Sequence, residues 1–383
     1  MNRHICFVVN SRANYARIKS AILSAIAHPS LEVSVIVGAS GVLTRFGNVA
    51  ELIEKDGIKV DARVYAVVEG DNPLSMVKTT GLLLLDLAQE FARLKPHVVV
   101  TVADRYETIA TAIAASYMNI PVAHTQGGEV TGSIDESVRH AITKLSHIHF
   151  PATEKAAQTL ARLGENPAKI FLVGCPALDL VIQSTCGSVR DVLPKYQGVG
   201  AVLDLEKPYL LISQHPDTTE FLKARVQIEE TLSAVNNLGI QAIWLWPNVD
   251  SGSDSISKRL REFRESELGS KILFVRNFSA EDYVTVLREA ACVVGNSSSG
   301  IREASLLGTP AVNIGNRQIG RERGINVIDV NYEATEIANA IRQQVSRGKY
   351  PSSSIYGNGS SGQQIAEILS TVDLSIKKSL HFE

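Results

Sequence analysis

The stretch "HTQGGEVTGSIDESVRH", residues 124–140, gathers His124, Gln126, Glu129, Asp135, Glu136, Arg139 and His140 around a Gly–Gly pair. Carboxylates and imidazoles exchange protons near neutrality, so this is the strongest candidate in the chain for acid–base chemistry. Adjacent glycines let a backbone come close to a ligand. The same residues also suit a charged surface loop, with Asp135 and Glu136 in a helical first turn where the macrodipole favours acids.

A second stretch, "GNSSSGIREASLLGTP" (295–310), offers different chemistry. "ACVVG" before it reads as a buried strand and Ser299–Leu307 as a helix, which makes Asn296–Ser299 a strand-to-helix loop. Outward N–H groups at a helix start, with hydroxyls from Ser297 and Ser298, suit an anion such as phosphate. An ordinary N-cap uses the same residue types. "GNRQIGRERG" (315–324) adds Arg317, Arg321 and Arg323. Together they read as a diphosphate site, with Glu303 placed to accept two ribose hydroxyls.

Other polar residues follow strands. Arg12 and Asn14 follow "ICFVV"; Arg12 meets a phosphate or is a plain surface arginine. Asp104 and Arg105 follow "HVVVTVA", and Asp104 reads as a helix N-cap, a catalytic carboxylate or both. His215 precedes a proline, which holds its backbone extended, and Asn248 lies in "WPNVDSGS". His140, His147 and His149 do not share a face, so no metal site is expected. There is no GxxxxGK[ST] loop, and "GASGVL" lacks the GxGxxG pattern, so neither P-loop chemistry nor a dinucleotide cofactor is expected.

The elements that must position these residues alternate. Strands are expected at Ile5–Val9, Leu31–Gly38, His97–Ala103 and Ile120–His124, with a weaker one in "RVYAVV". Helices are expected at Asn14–Ala27, Val49–Lys55, Leu74–Leu94, Thr108–Met118 and Ile134–Ser146. Unbroken apolar runs such as "HVVVTVA" belong to parallel strands covered on both faces. The rhythm lapses around Gly174–Pro208, which is richer in Gly, Ser and Pro, and then resumes. The expected fold is therefore α/β, with two Rossmann-like doubly wound domains and a cleft between them. The first spans residues 1–180 and the second 181–362, with a C-terminal helix over about 363–383 returning to the first.

A chain of 383 residues suits two domains. It is 45% hydrophobic with a formal net charge of −2, which gives no global attraction to nucleic acid or to an anionic membrane. The four cysteines form no CxxC pair, as in a cytoplasmic protein with reduced thiols. "MNRHICFVVNSR" has too short an apolar run for a signal peptide. "GLLLLDLA" falls far short of the roughly 20 residues that span a bilayer.

The motifs "ADRYET", "GGEVTGSIDESVRHAITKLSH", "VGCPALD", "HPDTTE" and "GNSSSGIREASLLGTPAVNIGNRQIGRE" resemble, in order, those of the hydrolysing UDP-N-acetylglucosamine 2-epimerases. The branch is that of the sialic-acid and legionaminic-acid pathways, and the resemblance runs from about Ile5 to Asp329. It implies a GT-B-like architecture, a homo-oligomer (dimer or tetramer) and chemistry without metal or redox cofactor. The implied reaction turns UDP-GlcNAc into N-acetylmannosamine and UDP, by elimination to 2-acetamidoglucal and then hydration. By matched motif, Asp104 and Asp135 fall on catalytic carboxylates. His215, Ser297, Ser298 and Glu303 fall on nucleotide contacts, as does Arg12, while Asn248 lies in a matched loop. Gln126 departs, because the family usually has glutamate there and a glutamine is neither acid nor base. Either Glu129 supplies the missing carboxylate, or Gln126 orients the sugar, or the substrate is a UDP- or GDP-linked 2,4-diacetamido-2,4,6-trideoxy sugar. A GT-B glycosyltransferase and a non-catalytic nucleotide-sugar-binding protein are the remaining alternatives.

Overall fold

The computed structural model describes residues 2–44, 47–70, 72–102, 105–131, 134–184, 187–217, 219–247, 252–266, 269 and 271–381. Contacts divide the chain into two units: Met1–Val130, Ile134–Asp179 and Tyr356–Glu383, and Thr131–Ser133 with Leu180–Ile355.

The first unit begins β1 (Arg3–Val9), α1 (Arg12–Ala16), α2 (Lys19–Ala27), β2 (Leu31–Gly38), α3 (Val49–Lys55) and β3 (Ala62–Val64). It continues with α4 (Pro73–Leu94), β4 (Val98–Val102), α5 (Thr108–Tyr117), β5 (Val122–Thr125) and α6 (Ile134–Leu145). β6 (Ile148–Phe150), α7 (Glu154–Arg162) and α8 (Pro176–Gln183) follow, and the unit boundary falls within α8. The sheet order is β3-β2-β1-β4-β5-β6, with every pairing parallel. Side chains of β1 alternate between two buried layers, Ile5, Phe7 and Val9 on one face and Cys6 and Val8 on the other. Cover on both faces thus explains why the strand is apolar from Ile5 to Val9.

The second unit holds α9 (Val189–Val192), β7 (Val199–Gly200), β8 (Tyr209–Ser213), α10 (Ala224–Leu238), β9 (Gln241–Leu245) and α11 (Ser253–Arg264). Next come β10 (Ile272–Val275), α12 (Ala280–Glu289), β11 (Cys292–Gly295), α13 (Glu303–Leu307), β12 (Ala311–Ile314), β13 (Val327–Val330) and α14 (Ala334–Arg347). Its order, β13-β12-β11-β8-β9-β10-β7, repeats the doubly wound pattern, with β7 antiparallel at the edge. In each sheet the order reverses beside the first parallel strand, between β1 and β4 and between β8 and β11. Open α/β sheets bind ligands at the carboxyl ends of strands beside such a switch point. Among the described residues no helix is long and apolar enough to cross a membrane.

Several local expectations need correction. The helix expected over Asn14–Ala27 is two helices, broken at Arg17–Ile18. Ser299–Leu307 is not one helix: a 3-10 turn covers Ser298–Gly300 and α13 starts only at Glu303. The N–H groups of Ile301 and Arg302 both turn back to the Ser298 carbonyl, at 3.1 and 3.0 Å, which tightens the turn. β6, α7, β13 and α14 were not anticipated, and the Gly174–Pro208 segment contains α8 and α9.

The last helix, α15 (Ser361–Thr371), packs on α2 and ends well short of residue 383. Arg3 stops it: its Nη1 donates to the carbonyls of Leu369 (3.0 Å) and Val372 (2.6 Å), satisfying groups a further turn would have used. Beyond it the chain runs back over the first unit, where the N–H of His381 donates to the Gly164 carbonyl at 3.0 Å.

This tail closes a buried charge cluster. The Glu165 carboxylate accepts from His149 Nε2 at 3.0 Å, Lys144 Nζ at 2.9 Å and Lys378 Nζ at 2.5 Å. Burial alone would raise its pKa, but the hydrogen bonds from His149, Lys378 and Lys144 outweigh that and hold it at about 2. Burial lowers the pKa of His149 and keeps the imidazole neutral. Both groups therefore lose native-state stabilisation on acidification. The His149 contribution begins to fall as the pH drops below 6.5, and that of Glu165 is lost from about 4.5 down to about 2. We expect urea unfolding to show about 3 kcal/mol disappearing over the lower window. Glu165→Gln should be less stable at neutral pH, and its stability should change less between about pH 5 and 3.

Candidate active site

In the first unit the loop after β1 is closed by its own side chains. Ser11 caps α1 by accepting the Asn14 N–H at 3.2 Å, and Asn14 Oδ1 accepts the Asn10 N–H at 3.2 Å. Asn14 is thus a buried bridge, and Arg12 lies half-buried at the first helical position. After β4, Arg105 is nearly buried, with Nε donating to Glu107 Oε1 at 2.7 Å and its guanidinium over the Tyr106 ring. Asp104 lies outside the described residues.

After β5, Gln126 adopts a left-handed backbone (φ +60°). Its N–H donates to the Phe150 carbonyl at 2.8 Å, and its buried amide lies 3.5 Å from Cys175 Sγ. The Gly–Gly pair, expected from the sequence to admit a ligand, has a packing role. A Cβ on Gly127 would sit 2.9 Å from His124 Nδ1, and one on Gly128 (φ +80°) 2.2 Å from the Ala156 carbonyl oxygen of α7. Glu129 is buried, and its carbonyl accepts Arg139 Nη1 at 2.8 Å. Asp135 stands half-exposed in the first turn of α6, on the same face as Arg139 one turn on. Arg12, Arg105, Gln126, Glu129 and Asp135 therefore all follow the carboxyl ends of β1, β4 or β5. The three histidines weighed as metal ligands have separate partners: His140 pairs with Glu136, His147 with the Val122 N–H, and His149 with Glu165.

In the second unit one residue joins the two switch-point loops. Asn296, fully buried, accepts the His215 N–H at 2.8 Å and donates Nδ2 to the His215 carbonyl at 2.8 Å. Its own carbonyl accepts Arg317 Nη1 at 3.2 Å and Gln318 Nε2 at 2.9 Å. Arg321 Nη1 donates to Gln318 Oε1 at 2.6 Å, so both arginines connect to the serine loop. Arg323 is instead occupied by Asp329, at 2.7 Å. Gly295 (φ +128°) allows the close approach of strands, because a Cβ there would lie 2.2 Å from the Ser213 carbonyl oxygen. Ser297 Oγ accepts the Ser299 N–H, Ser299 Oγ meets the Tyr283 hydroxyl, and Ser298 is half-exposed. A small depression beneath this loop is lined by Ser213, Gly295, Ser297, Gly300, Ile301 and Asn313, among others.

Glu303 opens α13, and its Oε2 is buried with no hydrogen-bond partner. A buried carboxylate oxygen without a donor is costly unless something supplies one. Asn248 lies outside the described residues. The sequence reading missed Asn296 as a hub. Its only local signal is its place as the first polar residue after β11, and its partners lie at 213–215 and 317–318.

Two parallel doubly wound sheets in one chain, each with polar loops at its switch point, define a protein of the GT-B-like class. The chain belongs to the UDP-N-acetylglucosamine 2-epimerase family, whose model matches residues 24–370, and it is an enzyme of that family. It is 33% identical to the UDP-N,N'-diacetylbacillosamine 2-epimerase (hydrolyzing) of Legionella pneumophila, over 98% of this chain and 97% of that one. It is 30% identical to the UDP-N-acetylglucosamine 2-epimerase of Neisseria meningitidis, over 96% and 95% of the two chains. The crystal structure of Methanocaldococcus jannaschii UDP-GlcNAc 2-epimerase in complex with UDP-GlcNAc and UDP shares the fold with a TM-score of 0.78 at 18% identity, covering 96% of this chain and 99% of that one.

Asn296→Ala removes both hydrogen bonds to the His215 backbone. Urea unfolding should register a loss of about 2–3 kcal/mol, since two buried backbone groups lose their partner.

Proposed function

We propose that this enzyme is a hydrolysing 2-epimerase acting on a UDP-linked 2-acetamido sugar. The serine loop with Arg317 and Arg321 takes the diphosphate, and the unpartnered Glu303 Oε2 accepts from the ribose hydroxyls. That buried, donorless oxygen is the observation that carries the nucleotide assignment. We assign His215, whose backbone is held by Asn296 after β8, as a donor to the diphosphate.

A base removes the carbon-2 proton, and the carbon 1–oxygen bond breaks with its electron pair leaving on UDP. The product, 2-acetamidoglucal, then takes up water: hydroxide joins carbon 1, and a proton returns to carbon 2 on the opposite face. The proton on carbon 2 is weakly acidic, having no adjacent carbonyl, so the carbon 1–oxygen bond loosens first. Nearby carboxylates then stabilise the oxocarbenium character that develops. We assign the proton transfers to Asp104 and Asp135, with Glu129 as the third carboxylate. Gln126 orients: its side chain is buried against Cys175 and has no titrating proton to give. Arg12 and Arg105 supply positive charge on the same loops.

UDP-GlcNAc is the leading substrate. A UDP-linked 2,4-diacetamido-2,4,6-trideoxy sugar is a second reading, favoured by the name of the Legionella relative and by Gln126. Both are offered without acceptor in heavy water. The expected result is UDP release with deuterium at carbon 2 of a manno-configured product, and the faster substrate identifies the sugar. Protium retained at carbon 2, or UDP release only with an acceptor present, overturns the proposal.

Two variants test the assignments. Asp135→Asn should lower turnover at least about 100-fold while the protein stays folded. Glu303→Ala should weaken UDP binding by about 1.5–3 kcal/mol in calorimetry, and unchanged affinity would remove it from the ribose site.

A further inference from the structure

Three hydroxyls in the second unit form one chain. The Tyr283 hydroxyl, on α12, lies 2.5 Å from Ser299 Oγ, and Ser299 Oγ lies 3.1 Å from Ser297 Oγ. Ser297 Oγ also accepts the Ser299 N–H at 3.4 Å. Ser299 is buried in the middle, while Tyr283 and Ser297 at the two ends are half-buried. The serines belong to the loop assigned to the diphosphate; Tyr283 reaches that loop from a different helix.

Each hydroxyl has one proton to give and two lone pairs to receive. The two oxygen–oxygen contacts use two of the three protons, and the direction of the chain decides which residue keeps the last. Tyr283 decides that direction. A phenol ionises at about pH 10 and an aliphatic alcohol far higher, so the phenol is the better donor and Ser299 Oγ the better acceptor. Burial pushes the Tyr283 pKa up, and the Glu303 carboxylate nearby pushes it further, against the pull of the Ser299 bond. The phenol therefore holds its proton across the neutral range. Among the described residues Ser299 Oγ is the acceptor for that proton, and a buried O–H pointed elsewhere would lose it. Ser299 then passes its own proton to Ser297. Both lone pairs of Ser297 Oγ are now filled, one by the Ser299 hydroxyl and one by the Ser299 N–H. Ser297 can only donate.

We infer that Tyr283 is a positioning residue whose hydroxyl directs this chain outward and makes Ser297 a fixed hydrogen-bond donor to the diphosphate. The inference rests on the assignment of the serine loop to the diphosphate. A phosphate oxygen offers only lone pairs, so a hydroxyl that can only donate matches it. With the chain reversed, Ser297 would spend its proton on Ser299 and turn a lone pair toward an anionic oxygen. Tyr283→Phe keeps the ring and removes the one proton that sets the direction. Ser297 and Ser299 are then free to bond either way round, and the donor is present only part of the time.

Binding of UDP by calorimetry and of uridine by ligand-detected NMR, both on the full chain, tests this. Tyr283→Phe should weaken UDP binding about five- to tenfold, as for one directed hydrogen bond, and leave uridine binding unchanged. Ser299→Ala cuts the chain in its middle and should do the same. Ser297→Ala should weaken UDP binding at least as much, and adding Tyr283→Phe to it should change nothing more, because Tyr283 acts through Ser297. Wild-type UDP affinity in both Tyr283→Phe and Ser299→Ala overturns the inference. So do equal losses for UDP and uridine, which a merely structural role would give, and losses that add in the double variant. A wild type that binds UDP no more tightly than uridine overturns the diphosphate assignment itself, and this inference with it, before any variant is compared.

Discussion

The Asp179 carboxylate holds three distant stretches of the first unit together. Its Oδ1 accepts the Ser361 N–H at 3.0 Å, and its Oδ2 accepts the Gly362 N–H at 2.6 Å and the Ser20 hydroxyl at 2.9 Å. The two amides are the free donors at the start of α15, and a buried carboxylate is tolerable only because three donors surround it. A carboxylate at that end also complements the helix dipole. Around it the chain comes into backbone contact: Gly174 against Gly357, Gly362 against Ser20, and the Cys175 N–H on the Tyr356 carbonyl at 2.7 Å. α15 then delivers Ile365, Ala366 and Leu369 into the core beneath β1 and β2. The first unit is thus completed by residues that follow the whole of the second.

Cys175 belongs to the same knot, which places Gln126 within reach of it. The thiol that faces the Gln126 amide comes from the residue just before α8, and α8 carries Asp179. The contact brings the loop that bears Glu129 and Asp135 next to the residues that anchor the C-terminal helix. The glycines of that loop fit the same account, because Gly128 lies on the backbone of α7. The loop that gathers the acid–base groups is shaped by what lies beneath it.

Each sheet solves the switch point with an asparagine. Asn14 Oδ1 takes the first N–H beyond β1, and Asn296 takes both backbone groups of His215 beyond β8. Where a strand ends, its last backbone groups lose their ladder partners. A carboxamide offers two N–H donors and two acceptor lone pairs and can satisfy them without adding charge.

The sequence alone was enough for the parallel sheets and for the polar loops at their carboxyl edges. A run such as "HVVVTVA" has no polar face to give to water, so it must be covered on both sides. Polar residues directly after such runs fall at the carboxyl edge of the sheet wherever the strands pair. Val49–Lys55 and Leu31–Gly38 could be read to the residue, because their apolar patterns are local. Other features depend on partners far along the chain, and no window of sequence contains them. Arg3 ends α15, a helix more than three hundred positions away. Gln126 is turned into the protein by Phe150 and Cys175, and Gly128 is a glycine because of Ala156. α13 begins at Glu303 rather than Ser299 because the Ser298 carbonyl is taken by two N–H groups at once. Local pattern decides which residues are apolar and which follow strands; tertiary packing alone decides which backbone and side-chain groups are left to be satisfied, and by what.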